Sequence, residues 1–294
     1  MRALRLAATA LATLVVAGAV VAVYVADQVT RVDRAPLKRS VLILSPATEP
    51  VRFRTEDGLT LSGWFVPVST DKAAVLVHGK DADRLASDHT LRVARWLRDA
   101  GFSLLLYDLR GHGESEGDRF SLGQHERKDV AAAVDHLVAR GFPVGHIALV
   151  GESMGAAIAI QAVALRPDVA AVVADSAYAD GRTIVDEAGP LETGLPDWYT
   201  AAIVLAAKLL YGLDVAAVDP AAVVRAHPER AFLFIHCDGD TVVRPHHARD
   251  LRGASANANT RLWMATGCGH VAASERHADE YRSRLLDFLG PLVR

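Results

Sequence analysis

The segment "VGESMGAAIA", Val150 to Ala159, sets one serine between two glycines, after an apolar run and before a series of small residues. A serine hydroxyl is a weak nucleophile until a base takes its proton. Gly151 and Gly155 leave room for the close backbone approach of a sharp strand-to-helix turn, which would hold Ser153 strained and exposed at its tip. The N-terminus of the following helix would favour a developing negative charge. The chemistry this setting suits is acyl transfer to Ser153. Gly-x-Ser-x-Gly alone also arises by chance among common residues, so the pattern needs a histidine base and a carboxylate to orient it. Both residue types follow at the ends of later apolar runs: "FIHCDGDTVV" offers Asp238 and Asp240, and "WMATGCGHVA" offers His270.

Those residues need a scaffold that gathers strand ends. "VRFRTEDGLTLSGWFVP" alternates around Asp57-Gly58, a hairpin signal. After it come short buried runs, "AAVLVHG", "FSLLLYD", "IALVGES", "VAAVVAD", "AFLFIHC" and "RLWMATG", separated mostly by segments able to form helices. Helices are expected over 88–100, 126–140, 154–165 and 278–289, with Gly101 and Gly141 as stops. This alternation predicts an α/β fold: a doubly wound, mostly parallel sheet of about eight strands with helices on both faces. In such a sheet, sites form at the carboxyl ends of the strands, where Ser153 falls. Residues 181–228 are too many for an ordinary connection, and "TAAIVLAAKLLYG" within them is apolar all round except Lys208, so a small helical cap is expected there. Its apolar stretch, Thr200 to Gly212, could line an acyl pocket, dip into a membrane or pack on the domain.

The chain has 294 residues, a formal net charge of −3 and a pI near 6.5, with no long basic block or stripe, which argues against nucleic acid as a partner. Leu6 to Ala26 carries no charge, and a helix of that length crosses the roughly 30 Å hydrocarbon core of a bilayer. It exceeds the usual apolar region of a signal peptide, so residues 1–26 are read as an uncleaved anchor; cleavage would make the protein secreted. Residues 27–48, with Pro36 and Pro46, read as a tether carrying one apolar piece, Val41 to Leu44, and 49–294 as one globular domain. Arg31, Arg34, Lys38 and Arg39 after the segment weaken the positive-inside signal of Arg2 and Arg5, and the domain is placed outside the cytoplasm.

From about residue 49 onward the chain resembles the α/β-hydrolase superfamily, and especially its membrane-anchored, capped members near the serine aminopeptidase and esterase-lipase branch. The resemblance is carried by "VLVHGK", "YDLRGHGES", "GESMGAA", "VVADSAY", "IHCDGDTVV" and "GCGHVAASERHADEY", in the family's order of Ser, Asp, His. It implies Ser153 as nucleophile, His270 as general base and Asp240 as acid, since the family pattern His-Gly-x-x-Asp puts the aspartate four residues after His236. Asp238 is the alternative acid. The oxyanion hole would be the backbone N–H groups of Met154 and Lys80. Cys237, where the family usually has glycine, and Cys268 are the only cysteines; the resemblance makes their strand ends neighbours and implies a possible disulfide tying the acid loop to the histidine loop. Two buried thiols are the alternative.

Other conspicuous residues carry plainer readings. Asp108, Arg110, Gly111 and Gly113 are expected to brace a loop beside the site, and His112, Ser115 and Glu152 to serve turns. His246 and His247 are adjacent with no nearby Cys or carboxylate array, so no metal is expected. "VLVHGK" stands where a dinucleotide fingerprint would, so no cofactor is expected. A dehalogenase would need a carboxylate at position 153, and the absence of an HGGG-type loop near His78 speaks against bulky-alcohol esterases. The expected activity is hydrolysis of a small-molecule ester or thioester, lipidic or otherwise acylated, through an acyl-enzyme. Amide or peptide cleavage by the same residues, and a non-catalytic membrane-bound interaction protein, are the alternatives.

Overall fold

The computed structural model describes residues 1–34, 36–37, 39–85 and 87–293, and of Val41 the backbone alone; Lys38, counted above in the charge asymmetry, lies outside them. After the N-terminal helix α1 (Arg2–Thr30), strands β1 (Glu49–Arg54) and β2 (Thr60–Val66) form the hairpin around Asp57-Gly58. Gly58 sits at φ +92°, a conformation only glycine takes without strain. The alternating units follow: β3 (Ala73–Val77), α2 (Asp88–Asp99), β4 (Ser103–Tyr107), α3 (Arg127–Ala139), β5 (Ile147–Glu152), α4 (Met154–Ala162) and β6 (Ala171–Asp175). Next come α5 (Gly181–Thr193), α6 (Asp197–Tyr211), α7 (Pro220–Ala226), β7 (Phe232–Cys237), α8 (His246–Ala254), β8 (Arg261–Ala265), α9 (Ala273–Arg276) and α10 (Ala278–Leu292).

The eight strands form one sheet in the order β1-β2-β4-β3-β5-β6-β7-β8, parallel except that β2 runs antiparallel to both its neighbours. Alternation along each strand divides the core. Val75 and Val77 of β3 pack with α3 and α4, whereas Ala74 and Leu76 pack with α2 and α10. Every residue of β5 is buried, as a strand covered on both faces must be. Leu149 there is fully buried, and its truncation to alanine would cost ~2–5 kcal/mol.

The sheet winds one way from β3 to β4 and the other way to β5, so the crevice at the carboxyl ends opens between β3 and β5. The turns carrying Lys80 and Ser153 leave from those two strands.

Beyond shifts at the ends of α2, α3 and α10, which runs on to Leu292, three details differ from the sequence reading. Helix α4 ends at Ala162 rather than Leu165, because tighter i→i+3 bonds from Ala164 to Gln161 and from Leu165 to Ala162 take over ahead of Pro167. Within 181–228, α5, α6 and the turn after α6, with Leu213 and Val215, line the cavity. Helix α7 packs on α4 and α8 with Val224 fully buried, and serves as the crossover that a parallel β6–β7 pair requires. Past Ala26, α1 runs on to Thr30, and the segment after it is fastened down: Val32 N–H donates to Asp118 O at 3.2 Å, Phe120 N–H to Thr30 O at 3.1 Å, and Leu44 is buried in the core.

Helix α1 packs along α6 through small residues. Gly18, Ala22 and Ala26 recur every four positions, and the last two meet Ile203, Ala206 and Ala207 in a cluster separate from the sheet cores. Tyr199 Oη bonds to the Gly18 carbonyl and Tyr211 Oη donates to Asp27 at 2.9 Å, so the two helices run parallel.

Candidate active site

Ser153 sits between β5 and α4 at φ 54°, ψ −126°, a strained conformation held by its surroundings. Its N–H donates to Asp175 O at 2.8 Å. The flanking glycines are required by space: a Cβ on Gly151 would lie 2.4 Å from Gly155 O, and one on Gly155 would lie 2.2 Å from Val77 O. The turn after β3 comes equally close, since a Cβ on Gly79 would stand 3.3 Å from Ser153 Cβ. The backbone at Gly79 and Lys80 therefore passes beside the serine.

His270 Nε2 lies 2.8 Å from Ser153 Oγ, and His270 Nδ1 lies 2.7 Å from Asp240 Oδ2. The Asp240 carboxylate is buried and accepts the N–H groups of Val242 and Val243, both at 2.9 Å, on its other oxygen. Burial alone would raise its pKa. The hydrogen bond and charge of His270, with those two amides, outweigh burial and hold Asp240 below the usual carboxylate range. Asp238 is exposed and occupied elsewhere, accepting from Gly267 N–H at 2.8 Å.

Buried histidines shape the frame. His236 Nε2 donates to Val243 O at 2.7 Å, and burial pushes its pKa down, so it holds the acid loop as a neutral ring. His78 accepts from Leu109 N–H at 3.0 Å and donates to Gly79 O at 2.7 Å. Burial, helped by the neighbouring His112, lowers its pKa to about 3. It thereby fixes the turn that carries Lys80.

Cys237 at the end of β7 and Cys268 in the loop before His270 form a disulfide with Cα atoms 5.3 Å apart. Gly239 N–H donates to Cys268 O at 3.2 Å across the same junction. The acid and histidine loops are thus joined by both a covalent and a backbone link.

The loop residues set aside by the sequence reading brace the structure. Asp108 pairs with Arg84 at 2.5 Å and accepts Glu114 N–H at 2.8 Å; Arg110 pairs with Asp129 at 2.6 Å and Asp57 at 2.8 Å. A Cβ on Gly113 would overlap the Asp108 carboxylate. His112 Nε2 accepts from Asp81 N–H, Ser115 Oγ donates to Asp108 O, and Glu152 accepts from Ser87 and Thr90.

The structure corrects one step of the metal argument. Glu187, distant in sequence on α5, reaches His246 at 3.6 Å and His247 at 3.5 Å. His247 Nδ1, however, accepts from Ala179 N–H at 3.1 Å, which places the ring hydrogen on Nε2, pointing at Glu187. A nitrogen carrying that hydrogen has no lone pair for a metal, and the cluster is a polar contact between α5 and α8.

Sequence reasoning missed four contributors. Ser176, at φ 58°, accepts from Val271 N–H at 3.2 Å and donates to Asp175 at 3.0 Å, steadying the residue after His270. Lys80 Nζ pairs with Glu192 of α5 at 2.8 Å. Val29 and Thr30 of α1 line the cavity itself. "DSAY" at the end of a buried run was a readable signal for Ser176; no local pattern announces the others. The cavity measures about 210 Å³ and extends from Ser153 and Met154 between Phe120, Tyr178, Ile184 and Ile203. Along this helix Thr200, Ile203 and Val204 line the cavity, Ala206 packs on α1, and Leu205 and Leu209 point outward.

A family model described as serine aminopeptidase, S33, matches residues 69–233, more than half of the chain. The chain belongs to this family. Among relatives of the serine aminopeptidase family member, YfhR of Escherichia coli (strain K12) is 27% identical over 251 residues, covering 83% of this chain and 81% of YfhR. Rv2307c of Mycobacterium tuberculosis is 36% identical over 141 residues, 47% of this chain and 48% of its own length. Among solved structures, the Pyrococcus furiosus esterase Pf2001 superposes with a TM-score of 0.77 at 25% identity, over 90% of this chain and 98% of the esterase. The family and its esterase neighbours make the protein an α/β-hydrolase and an esterase-like serine hydrolase.

Proposed function

We propose that the protein is a membrane-anchored serine esterase that cleaves carboxylic esters or thioesters with an apolar acyl group. The observation that carries the reading is an unbroken hydroxyl–imidazole–carboxylate chain, at 2.8 and 2.7 Å, opening into an apolar cavity. His270 takes the Ser153 proton as Oγ attacks the ester carbonyl. Asp240 holds the imidazole in the tautomer with a free Nε2 lone pair and stabilises the imidazolium that forms. The N–H groups of Met154 and Lys80 receive the oxyanion, a contribution of about 3–4 kcal/mol per donor. The protonated imidazole then delivers its proton to the leaving alcohol or thiol, and water, activated by the same base, releases the acid.

In this reading α1 is the uncleaved anchor, 49–294 is the hydrolase domain with α5 and α6 as its cap, and the domain faces an extracytoplasmic, disulfide-permitting compartment. The family's name raises cleavage beside a free amino terminus, which calls for an anion to hold the ammonium group. Glu192, the one acid among the described residues lining the cavity, is already held by Lys80 at 2.8 Å. That favours esters.

Labelling with a fluorophosphonate probe tests the reading. Stoichiometric modification of Ser153, lost in Ser153→Ala together with hydrolysis of p-nitrophenyl esters, is expected. A folded, unlabelled wild type, or a Ser153→Ala variant with undiminished turnover, would overturn it.

A further inference from the structure

The charges on α1 and its pairing with α6 constrain where a bilayer can lie. The apolar stretch is bracketed by Arg5 on one side and Asp27 on the other, and at 1.5 Å per residue it spans about the 30 Å of a hydrocarbon core. Only part of it stands clear of the domain. Tyr199 meets α1 at Gly18 and Tyr211 meets it at Asp27, so α6 lies alongside the last third or more of the stretch. The unflanked part, residues 6–17, is roughly 18 Å long, too short to cross the core. Seating the whole stretch therefore draws α6 roughly 13 Å into the membrane, most of one leaflet.

The chemistry of α6 suits that position. Its outward face presents Trp198 at 76% exposure, Leu205 at 56%, Leu209 at 75% and Leu210 at 52%, and α5 adds Leu191 at 76%. Single exposed apolar residues are ordinary, but this many on one short cap, in register with an exposed apolar helix, form a continuous surface. Lys208, the one base on α6, is paired with Asp214 at 2.7 Å near the end that meets Asp27, where its stem can reach the headgroups. At the same level Arg119 pairs with Asp27 at 2.5 Å and stacks over Tyr211 at 3.6 Å, a polar collar suited to the interface. Asp197, exposed at the leading end of α6, is the charge that this seating places deepest in the leaflet.

We propose that the outer face of α6, with Leu191 of α5, is a membrane-embedding surface seated in the leaflet beside α1. The cavity, walled by Val29 and Thr30 of α1 and by Ile203 and Val204 of α6, then takes long-chain acyl esters from that leaflet rather than from water. This rests on reading α1 as an uncleaved anchor and the Ser153 site as an esterase.

The full-length chain reconstituted into phosphatidylcholine vesicles provides the test. The emission of Trp198, obtained by difference from Trp198→Phe, is expected to fall by at least half in vesicles of 6,7-dibrominated phosphatidylcholine. Leu205→Glu/Leu209→Glu alters no cavity-lining residue, so it should keep turnover of a water-soluble acetyl ester within twofold and lose tenfold or more on a long-chain ester carried in the vesicles. An unquenched Trp198 in protein that floats with carbonate-washed vesicles would overturn the embedding surface and leave the anchor standing. Equal turnover of the vesicle-borne ester by variant and wild type would overturn delivery from the leaflet. Protein that fails to float would remove the anchor and the proposal together. If the wild type hydrolyses neither ester, the esterase reading fails, and the quenching measurement alone decides the surface.

Discussion

On one side of the cavity stand the ends of β3, β5, β7 and β8, tied by backbone hydrogen bonds, neutral buried histidines and the Cys237–Cys268 disulfide. On the other stand α5, α6 and α1, joined by small apolar side chains and a few polar contacts such as Lys80 to Glu192. The first side holds atoms that must stay within about 0.5 Å of their working positions. The second lines the apolar part of the cavity and holds no atom of the Ser153–His270–Asp240 chain. At about 210 Å³ the cavity is smaller than the ~300–1,000 Å³ of typical ligand sites, so a long acyl chain requires movement of the cap wall, not of the strand ends.

The division can be broken first at its polar side. Asp240→Asn should lower kcat by ~10⁴-fold, because the imidazole loses the partner that fixes its tautomer, while Asp238→Asn should leave turnover near wild type. The reverse pattern in steady-state kinetics would mean that Asp238 orients the base. Next in size is the disulfide. Cys237→Ser should reduce unfolding free energy by ~2–4 kcal/mol in a urea titration and lower kcat with little change in KM; a larger change in KM would place the cysteines on the binding side.

Substitutions in the helical wall should behave differently. Val204→Trp fills the cavity from α6, so it should shift preference toward short acyl chains by roughly tenfold in kcat/KM while acetyl esters turn over normally. A fall on every chain length would show that the wall also positions the reacting atoms. A last effect concerns pH. His78 is held neutral in the folded protein down to about 3, well below its ordinary 6.5. Acid therefore protonates it in the unfolded chain first, and its contribution is present above pH 6.5 and lost as pH falls toward 3. Unfolding free energies measured from pH 7 to 4 should include a slope of ~1.4 kcal/mol per unit from this residue, absent in His78→Gln.

The same division governs what the sequence made legible. Buried runs, caps and the glycine spacing around Ser153 are local signals, and they placed the strands and the serine turn at the end of one of them. Asp240 and His270 followed because each sits at a strand end within a recognisable stretch. The second side depends on contacts between segments far apart in the chain. Glu187 reaching His247, Glu192 reaching Lys80 and α1 forming part of the cavity leave no periodic trace, since each depends on where α5 and α6 fold back. A proline-bearing stretch after α1 looked like a free tether because its anchoring bonds are backbone pairs to residues 118–120.

The contact between Tyr199 and Gly18 joins positions 181 residues apart. At synthesis rates of ~5–20 residues per second, α1 leaves the ribosome on the order of 10 to 40 s before α6 exists to meet it. Throughout that interval the seam of Gly18, Ala22 and Ala26 lacks its α6 partner, and the cavity lacks its α6 wall. Asp240 and His270 are made later still, so the serine turn can form before either the helical wall or the groups hydrogen-bonded in line with Ser153 exist.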